Sequence, residues 1–320
     1  VDPELAARVR TAAERLGYST NRLARGLRRQ TTETIGMVVP DIANPFFPAV
    51  IKAVETEARS VGLTLLLCDS GNDVAQEADA LRRLVDHQID GMIISVCDRI
   101  ASRQAVAFTA DRLPLVQIDR QTVGGSGYFV GVDQVDSVNR ILRHLREQGY
   151  RRYAYITAGL EISTARQRLE AFVAHLRSSD PGVERRVLVG EFSIEWGYEA
   201  TRRLLEAGSG QDEQLPDALV CADDLIAVGA VQCLRQRGIR VPDEVAVTGF
   251  DDTVLATASR PQLTTVRQPL DLLGRAAVGL LRRAIQEPRM PARSTVLPAE
   301  LVVRESSVRS NLPAKLPRTM

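Results

Sequence analysis

Seven polar residues stand at or just beyond the carboxyl ends of apolar runs: Asp41, Ser70, Ser95, Asp119, Asp133, Asp223 and Asp251. Side chains of these types hydrogen-bond a small polar ligand; none is set beside a base or nucleophile that would make a reaction centre. A second group lies near the N-terminus in "NRLARGLRR" (21–29). Arg22, Arg25 and Arg29 fall on one helical stripe, and Leu23 and Leu27 on an adjacent one. Asn21 can cap this short helix. A helix of that length is marginal alone in water, and Gly26 weakens it by ~1 kcal/mol relative to alanine. Up to Arg29 there are seven arginines, at 8, 10, 15, 22, 25, 28 and 29, against Asp2, Glu4 and Glu14. The whole chain carries a net charge of only +1. A basic end on a near-neutral body reads as a binding arm for a polyanion; the alternative is a solvated charged tail.

The elements that must position these groups follow from hydrophobic pattern. Residues 2–16 read as a helix, with Asp2 as cap and Leu5, Val9, Ala12 and Leu16 on one stripe, and "QTTET" (30–34) as a linker. Beyond it, short apolar runs alternate with amphipathic helices. The strand candidates are 34–40, 64–70, 91–97, 114–119 and 128–133, then 153–158, 186–190, 218–222 and 245–250. The helix candidates are 46–61, 75–88, 101–111, 134–148, 164–178, 195–207 and 224–238. Strands that are apolar throughout indicate parallel sheets covered on both faces, so the fold class is α/β with two doubly wound units in tandem. "TTVRQP" (264–269), a helix at 270–286 and "STVLPAELVVRES" (294–306) read as closing elements that cross between the units. In such sheets ligands bind beyond the carboxyl ends of the strands, and a cleft between two sheets is the expected site.

Several functions find no support. No G-x-G-x-x-G follows the first strand, and neither a P-loop nor a G-x-S-x-G elbow occurs. His87, His144 and His175 sit on predicted helices without ligand spacing, so no metal, cofactor or catalytic role is assigned. Cys68, Cys97, Cys221 and Cys233 are widely spaced and read as reduced core residues of a cytoplasmic protein. No apolar run reaches membrane-spanning length, and no signal-peptide pattern opens the chain.

"VDPELAARVRTAAERLGYSTNRLARGLRR", "TIGMVVPDIANPFFPAVIKAVE", "VGVDQ", "TARQRLEAF", "CADDLIAVGA", "VTGFDDT" and "LTTVRQP" occur in this order. Together they resemble the LacI/GalR family of transcriptional regulators, over Val1 to about Ser307. The resemblance implies a DNA-binding remnant (1–33) and an effector-binding core similar to periplasmic binding proteins. The core divides into a first subdomain (34–133 with 264–290) and a second (134–263 with 291–307), followed by a tail (308–320). It also implies a helix-turn-helix upstream of Val1, so that this chain reads as a fragment or has a displaced start. A family hinge helix folds on its operator, as a sub-stable helix permits. By position Leu27 would wedge into the minor groove, while Asn21, Arg22, Arg25, Arg28 and Arg29 complete the DNA contact set. Leu23 could instead pack on the headpiece.

The resemblance further implies an effector site made of Phe46, Phe47, Ser95, Asp133, Arg168, Phe192, Asp223, Asp251 and Gln268. Aromatic faces with carboxylates and one arginine fit a sugar or polyol, and three carboxylates against one arginine favour a neutral or cationic one. The family has Asn where this chain has Asp223, which favours a ligand with more donors; the alternative is that Asp223 only caps the next helix. The expected protein is a homodimeric, non-enzymatic repressor of the cytoplasm, partnered by operator DNA and a small effector. The alternative is a sugar-binding receptor of a transport system.

Overall fold

The computed structural model describes residues 31–124, 127–177, 186–207, 215–287 and 291–309, together with residues 2, 4, 5, 8, 11, 12 and 15. Residues 4, 5, 8, 11, 12 and 15 are helical, and the Asp2 carboxylate accepts from Glu4 N at 3.0 Å, in keeping with the cap read from the sequence. Asn21, Arg22, Arg25, Leu27, Arg28 and Arg29 lie outside the described residues.

The first unit alternates β1 (Thr34–Val39), α1 (Phe46–Ser60), β2 (Thr64–Asp69), α2 (Val74–Asp86), β3 (Gly91–Ile94), α3 (Arg103–Ala110), β4 (Leu115–Ile118) and β5 (Tyr128–Val132). The second runs α4 (Gln134–Glu147), β6 (Tyr153–Ala158), α5 (Ser163–Leu176), β7 (Val187–Gly190), α6 (Ile194–Ala207), β8 (Ala218–Cys221), α7 (Asp224–Gln236), β9 (Ala246–Thr248) and α8 (Val254–Ala258). Then follow β10 (Thr265–Arg267), α9 (Leu270–Gln286), β11 (Ser294–Leu297), β12 (Glu300–Val302) and a 3-10 turn at Glu305–Ser307. Among the described residues there are two parallel sheets, in the orders β11-β5-β4-β3-β1-β2 and β7-β6-β8-β9, and an antiparallel pair, β10-β12.

The central strands are apolar because both faces are covered, whereas the edge strand β2 stays largely exposed. In β1, Ile35, Met37 and Val39 join the main core while Val38 faces a second cluster with Leu81, Leu84, Met92 and Ile94. In β3, Ile93 and its neighbours Met92 and Ile94 divide in the same way. Helices seal these faces closely. On α9, a Cβ at Gly274 would stand 2.7 Å from the Ala53 carbonyl carbon of α1. On α6 and α7, Gly197 would meet the Ile226 carbonyl oxygen and Gly229 the Ile194 carbonyl oxygen.

Two closing segments differ from the division read off the sequence. β11, expected with the second unit, pairs in parallel with β5 of the first, Ser294 opposite Phe129 through Leu297 opposite Val132. β10, expected with the first, continues the second sheet: Thr264 bridges to Thr248 and Arg267 to Asp251. Side chains hold it there, since Thr265 Oγ1 donates to Asp224 Oδ1 at 2.6 Å and Thr264 N donates to Ser306 Oγ at 2.9 Å. The chain therefore crosses between the units three times, between β5 and α4, between β10 and α9, and between β11 and β12.

The α6–α7 crossing supplies a stability test. Gly229→Ala sets a methyl against backbone that cannot yield, and overpacking of this kind costs about 1–3 kcal/mol. The urea midpoint should fall accordingly, and Gly279→Ala, at a site with nothing within 4 Å of the new Cβ, should not lower it.

Candidate functional site

The carboxyl ends of both sheets face one another across a cleft. Asn44, Phe46 and Phe47 follow β1, and Asp119 and Arg120 follow β4; Thr164 and Arg168 (α5), Phe192, Asp223 and Asp251 line the cleft from the second unit. Phe46 and Phe47 pack edge to face with centroids 5.3 Å apart, the backbone entering α1 through Asn44, whose Oδ1 accepts from Phe46 N at 3.0 Å. Two contacts close the units on each other: Arg99 N donates to the Glu161 carbonyl at 2.8 Å, and Gln121 N to Ser163 Oγ at 3.0 Å.

Arg168 organises the far wall. Its side chain is 3% exposed. Nε donates to Gln134 Oε1 at 2.7 Å and Nη1 to the Ala222 carbonyl at 2.7 Å. Nη2 stands 3.7 Å from Asp251 Oδ1, and the guanidinium lies 3.5 Å above the Phe250 ring. Gln268, at the second crossing, donates from Nε2 to Asp251 Oδ1 at 2.8 Å. Asp119 and Asp251 hold φ of 62° and 101°, a left-handed backbone that is uncommon outside glycine and concentrates at functional sites.

The sequence-derived set is brought together in part. Phe46, Phe47, Arg168, Phe192, Asp223 and Asp251 line the cleft, and Gln268 stands behind Asp251. Asp223 does both things open to it, lining the cleft while its Oδ1 caps α7 by accepting from Ile226 N at 2.8 Å. Asp133 is elsewhere: it is exposed, and its carboxylate is taken up by the first turn of α4, accepting from Asp136 N at 2.9 Å. Ser95 is buried just past β3, outside the cleft lining, and its Oγ has no partner among the described residues. Asn44, Asp119, Arg120 and Thr164 were missing from the set that the resemblance implied. Asp119 was among the polar residues read at strand ends, and Arg120, directly after it, could have been found by the same rule.

Arg120 changes the electrostatics. It is 4% exposed, and its guanidinium lies 5.2 Å from the Phe47 ring centre and 5.7 Å from that of Phe192, one aromatic from each unit. Its Nε and Nη1 have no acceptor among the described residues, nor has Asp119 Oδ1 a donor. Three carboxylates against one arginine is therefore not the composition of the cleft, which sets Asp119, Asp223 and Asp251 against Arg120 and Arg168. Burial pushes the Asp223 carboxyl well above its usual range, against the hydrogen bond from the Ile226 amide. Burial likewise raises Asp251, opposed by Arg168 and its Gln268 hydrogen bond, and lifts Asp119 to about 6 against the pull of Arg168 and Arg120. A second arginine brings the cleft nearer to charge balance than Arg168 alone would. Among the described residues no His, Cys, Asp or Glu cluster is placed to hold a metal.

Residues 142–307 match the periplasmic binding protein-like domain family, the class that two such sheets with a ligand cleft between them define. The chain is 30% identical over 298 residues to the HTH-type transcriptional repressor PurR of Mannheimia succiniciproducens, covering 92% of this chain and 87% of that one. It is 32% identical over 303 residues to the HTH-type transcriptional regulator PtxS of Pseudomonas aeruginosa, covering 94% and 86%. The crystal structure of the lac repressor dimer bound to operator and an anti-inducer superposes with a TM-score of 0.83 at 23% identity, over 96% of this chain and 91% of that one. The chain belongs to the LacI/GalR family of transcriptional regulators, a family of repressors and not of enzymes.

One buried carboxylate gives a pH test. Asp224 accepts from Thr253 N, Thr253 Oγ1 and Thr265 Oγ1, and burial raises it to about 7. Because the folded chain holds this proton more tightly than the unfolded one, the associated stability is complete below the ordinary Asp range and is lost as pH rises through about 7. Lowering pH from 8 to 6 should add about 1 kcal/mol through this group. Asp224→Asn should flatten that part of the melting-temperature profile.

Proposed function

We propose that this chain is a homodimeric cytoplasmic repressor whose grip on a near-palindromic operator is set by a small polyhydroxylated effector held between its two units. The observation that carries this reading is the cleft wall of Arg168, Asp251 and Gln268 facing the Phe46–Phe47 pair. Fixed donors and acceptors on one side, with aromatic faces on the other, are what a sugar or polyol needs. Three carboxylates facing two arginines in the cleft favour a neutral or cationic ligand.

The coupling follows from the crossings. Three strands of chain join the units, and a ligand touching both favours closure only to the extent that it binds the closed form better. Closure shifts the first units of a dimer relative to each other. The segment 21–29 leaves from that unit, so Leu27 and the arginines at 22, 25, 28 and 29 would change their spacing on DNA. Among the described residues no helix is long and apolar enough to cross a membrane, and a regulator of DNA works in the cytoplasm.

A two-fold operator needs a two-fold protein. The edge strand β2 leaves Leu66 and Leu67 exposed at 38% and 45%, an apolar edge suited to a second copy. Leu67→Arg should shift the protein from dimer to monomer in sedimentation at micromolar concentration, whereas an unchanged dimer would move the interface elsewhere.

Effector binding is tested by thermal shift with neutral monosaccharides, disaccharides and polyols. A ligand at 100 times its Kd adds ~2.7 kcal/mol. Phe192→Ala and Asp251→Asn should each remove that stabilisation. Arg168 serves less well for this test, because its removal strands the Ala222 carbonyl and Gln134 and lowers the unliganded stability as well. Normal binding by Asp251→Asn would refute the site. For the DNA arm, Leu27→Ala should reduce operator bending and affinity together, measured by circularly permuted fragments and anisotropy.

A further inference from the structure

The polar segment "QTTET" (30–34) reads from the sequence as a plain linker, yet from Thr31 onward it is bound tightly to the first unit. Asp90, half-buried just ahead of β3, spends both carboxylate oxygens on it. Oδ2 accepts from Thr31 Oγ1 at 2.5 Å, and Oδ1 accepts from Thr32 N at 2.7 Å and from Thr32 Oγ1 at 3.0 Å. The Asp90 amide in turn donates to the Thr34 carbonyl at 2.8 Å, and Thr64 N, opening β2, donates to the Glu33 carbonyl at 2.8 Å. Thr34 Oγ1 donates to the Thr32 carbonyl at 3.0 Å, and Glu33 turns the chain with φ of 52°. A strand can start on its ladder bonds alone. Here a carboxylate adds three charge-assisted bonds to two residues that lie outside the ladder.

Asp90 is itself held in place. It precedes Gly91, where a Cβ would stand 2.8 Å from Leu281 Cδ1, so the start of β3 lies directly against α9. Thr31 and Thr32 are thereby tied to the body of the first unit rather than to a surface loop. The basic segment 21–29 comes immediately before them in the chain. Were residues 31–33 free, they would reach roughly 9–10 Å as flexible chain. One base pair inserted between two half-sites moves them apart by only ~3.4 Å and turns them by ~34°. A loose linker absorbs that displacement, and a fixed one does not.

We propose that Asp90 is a positioning residue for operator binding. Its carboxylate fixes the point at which each DNA-binding segment leaves the first unit, and so sets the half-site spacing that a dimer accepts. This rests on the homodimeric operator reading given above.

The probe is the two-part duplex that the full-length protein selects from a random-sequence pool. It is compared with the same duplex carrying one inserted base pair between its halves, and with an unrelated duplex. The unaltered protein should bind the inserted duplex about tenfold or more weakly than the selected one. Asp90→Ala should bring that ratio close to one. Its salt dependence on the unrelated duplex should stay unchanged, because the arginines at 22, 25, 28 and 29 remain. Asp90→Asn, which keeps an acceptor for Thr32, should retain most of the ratio. Thr31→Val with Thr32→Val removes two of the three donors without altering the core, and should give an intermediate ratio even where Asp90→Ala fails to fold. A purely structural role predicts a lowered melting temperature with the ratio intact. A ratio that survives these substitutions, or an unaltered protein indifferent to the inserted base pair, overturns the assignment and leaves operator binding standing. Selection of no two-part duplex overturns the operator reading and this one with it.

Discussion

A guanidinium sealed from water must be paired or it destabilises whatever surrounds it, and the cleft wall is arranged around that constraint at Arg168. Its partners come from separate parts of the chain: Gln134 at the start of α4, the carbonyl of Ala222 at the end of β8, and Asp251 beyond β9. Phe250 supplies a ring face for the plane of the charge. Each partner stands next to a crossing between the units or a residue lining the cleft. Gln134 follows the first crossing, Asp251 is bonded by Gln268 at the second, and Ala222 precedes Asp223. One charge therefore ties the cleft wall to two of the three segments that cross between the units.

The opposite wall has a different economy. Arg120 is buried as deeply but lacks that pairing, with two N–H groups unmet and aromatic rings as its nearest company. Burial depresses its pKa, while Asp119 beside it holds the charge in place. An incompletely satisfied cation facing a well-satisfied one divides the labour within a single cleft. Arg168 is tied into the framework of its unit, whereas Arg120 keeps two N–H groups without an acceptor among the described residues. Asp119 and Asp251, which both line the cleft, share a left-handed backbone that is uncommon outside glycine and that Asp tolerates better than most residues.

Most of the architecture could be read without coordinates. Strands at 34–39, 64–69 and 153–158 and helices at 46–60, 224–236 and 270–286 agree with their hydrophobic pattern to within a residue or two. Uninterrupted apolar runs, with helical periodicity between them, leave a doubly covered parallel sheet as the only economical solution. The short helix at Val254–Ala258 was not read, because five residues carry too little periodicity. β11 was given to the wrong unit for a related reason. Its four residues alternate in exposure as an edge strand does, and nothing in "STVL" names the strand it joins.

The site divides along the same line. By itself the sequence determined the residue types of the ligand set, their station at strand ends and the family they resemble, since these depend on local order along the chain. Tertiary structure decided which of them meet. Asp133 is as plausible in sequence as Asp251, yet one carboxylate is claimed by the amide of a helix start and the other by Gln268 and Arg168 from distant segments. Arg120 became a cleft residue only when Phe192 of the other unit closed over it. Helix capping is a contest among neighbours in sequence, whereas burial of a charge against partners on other elements depends on how the sheets and crossings come together, which no local pattern encodes.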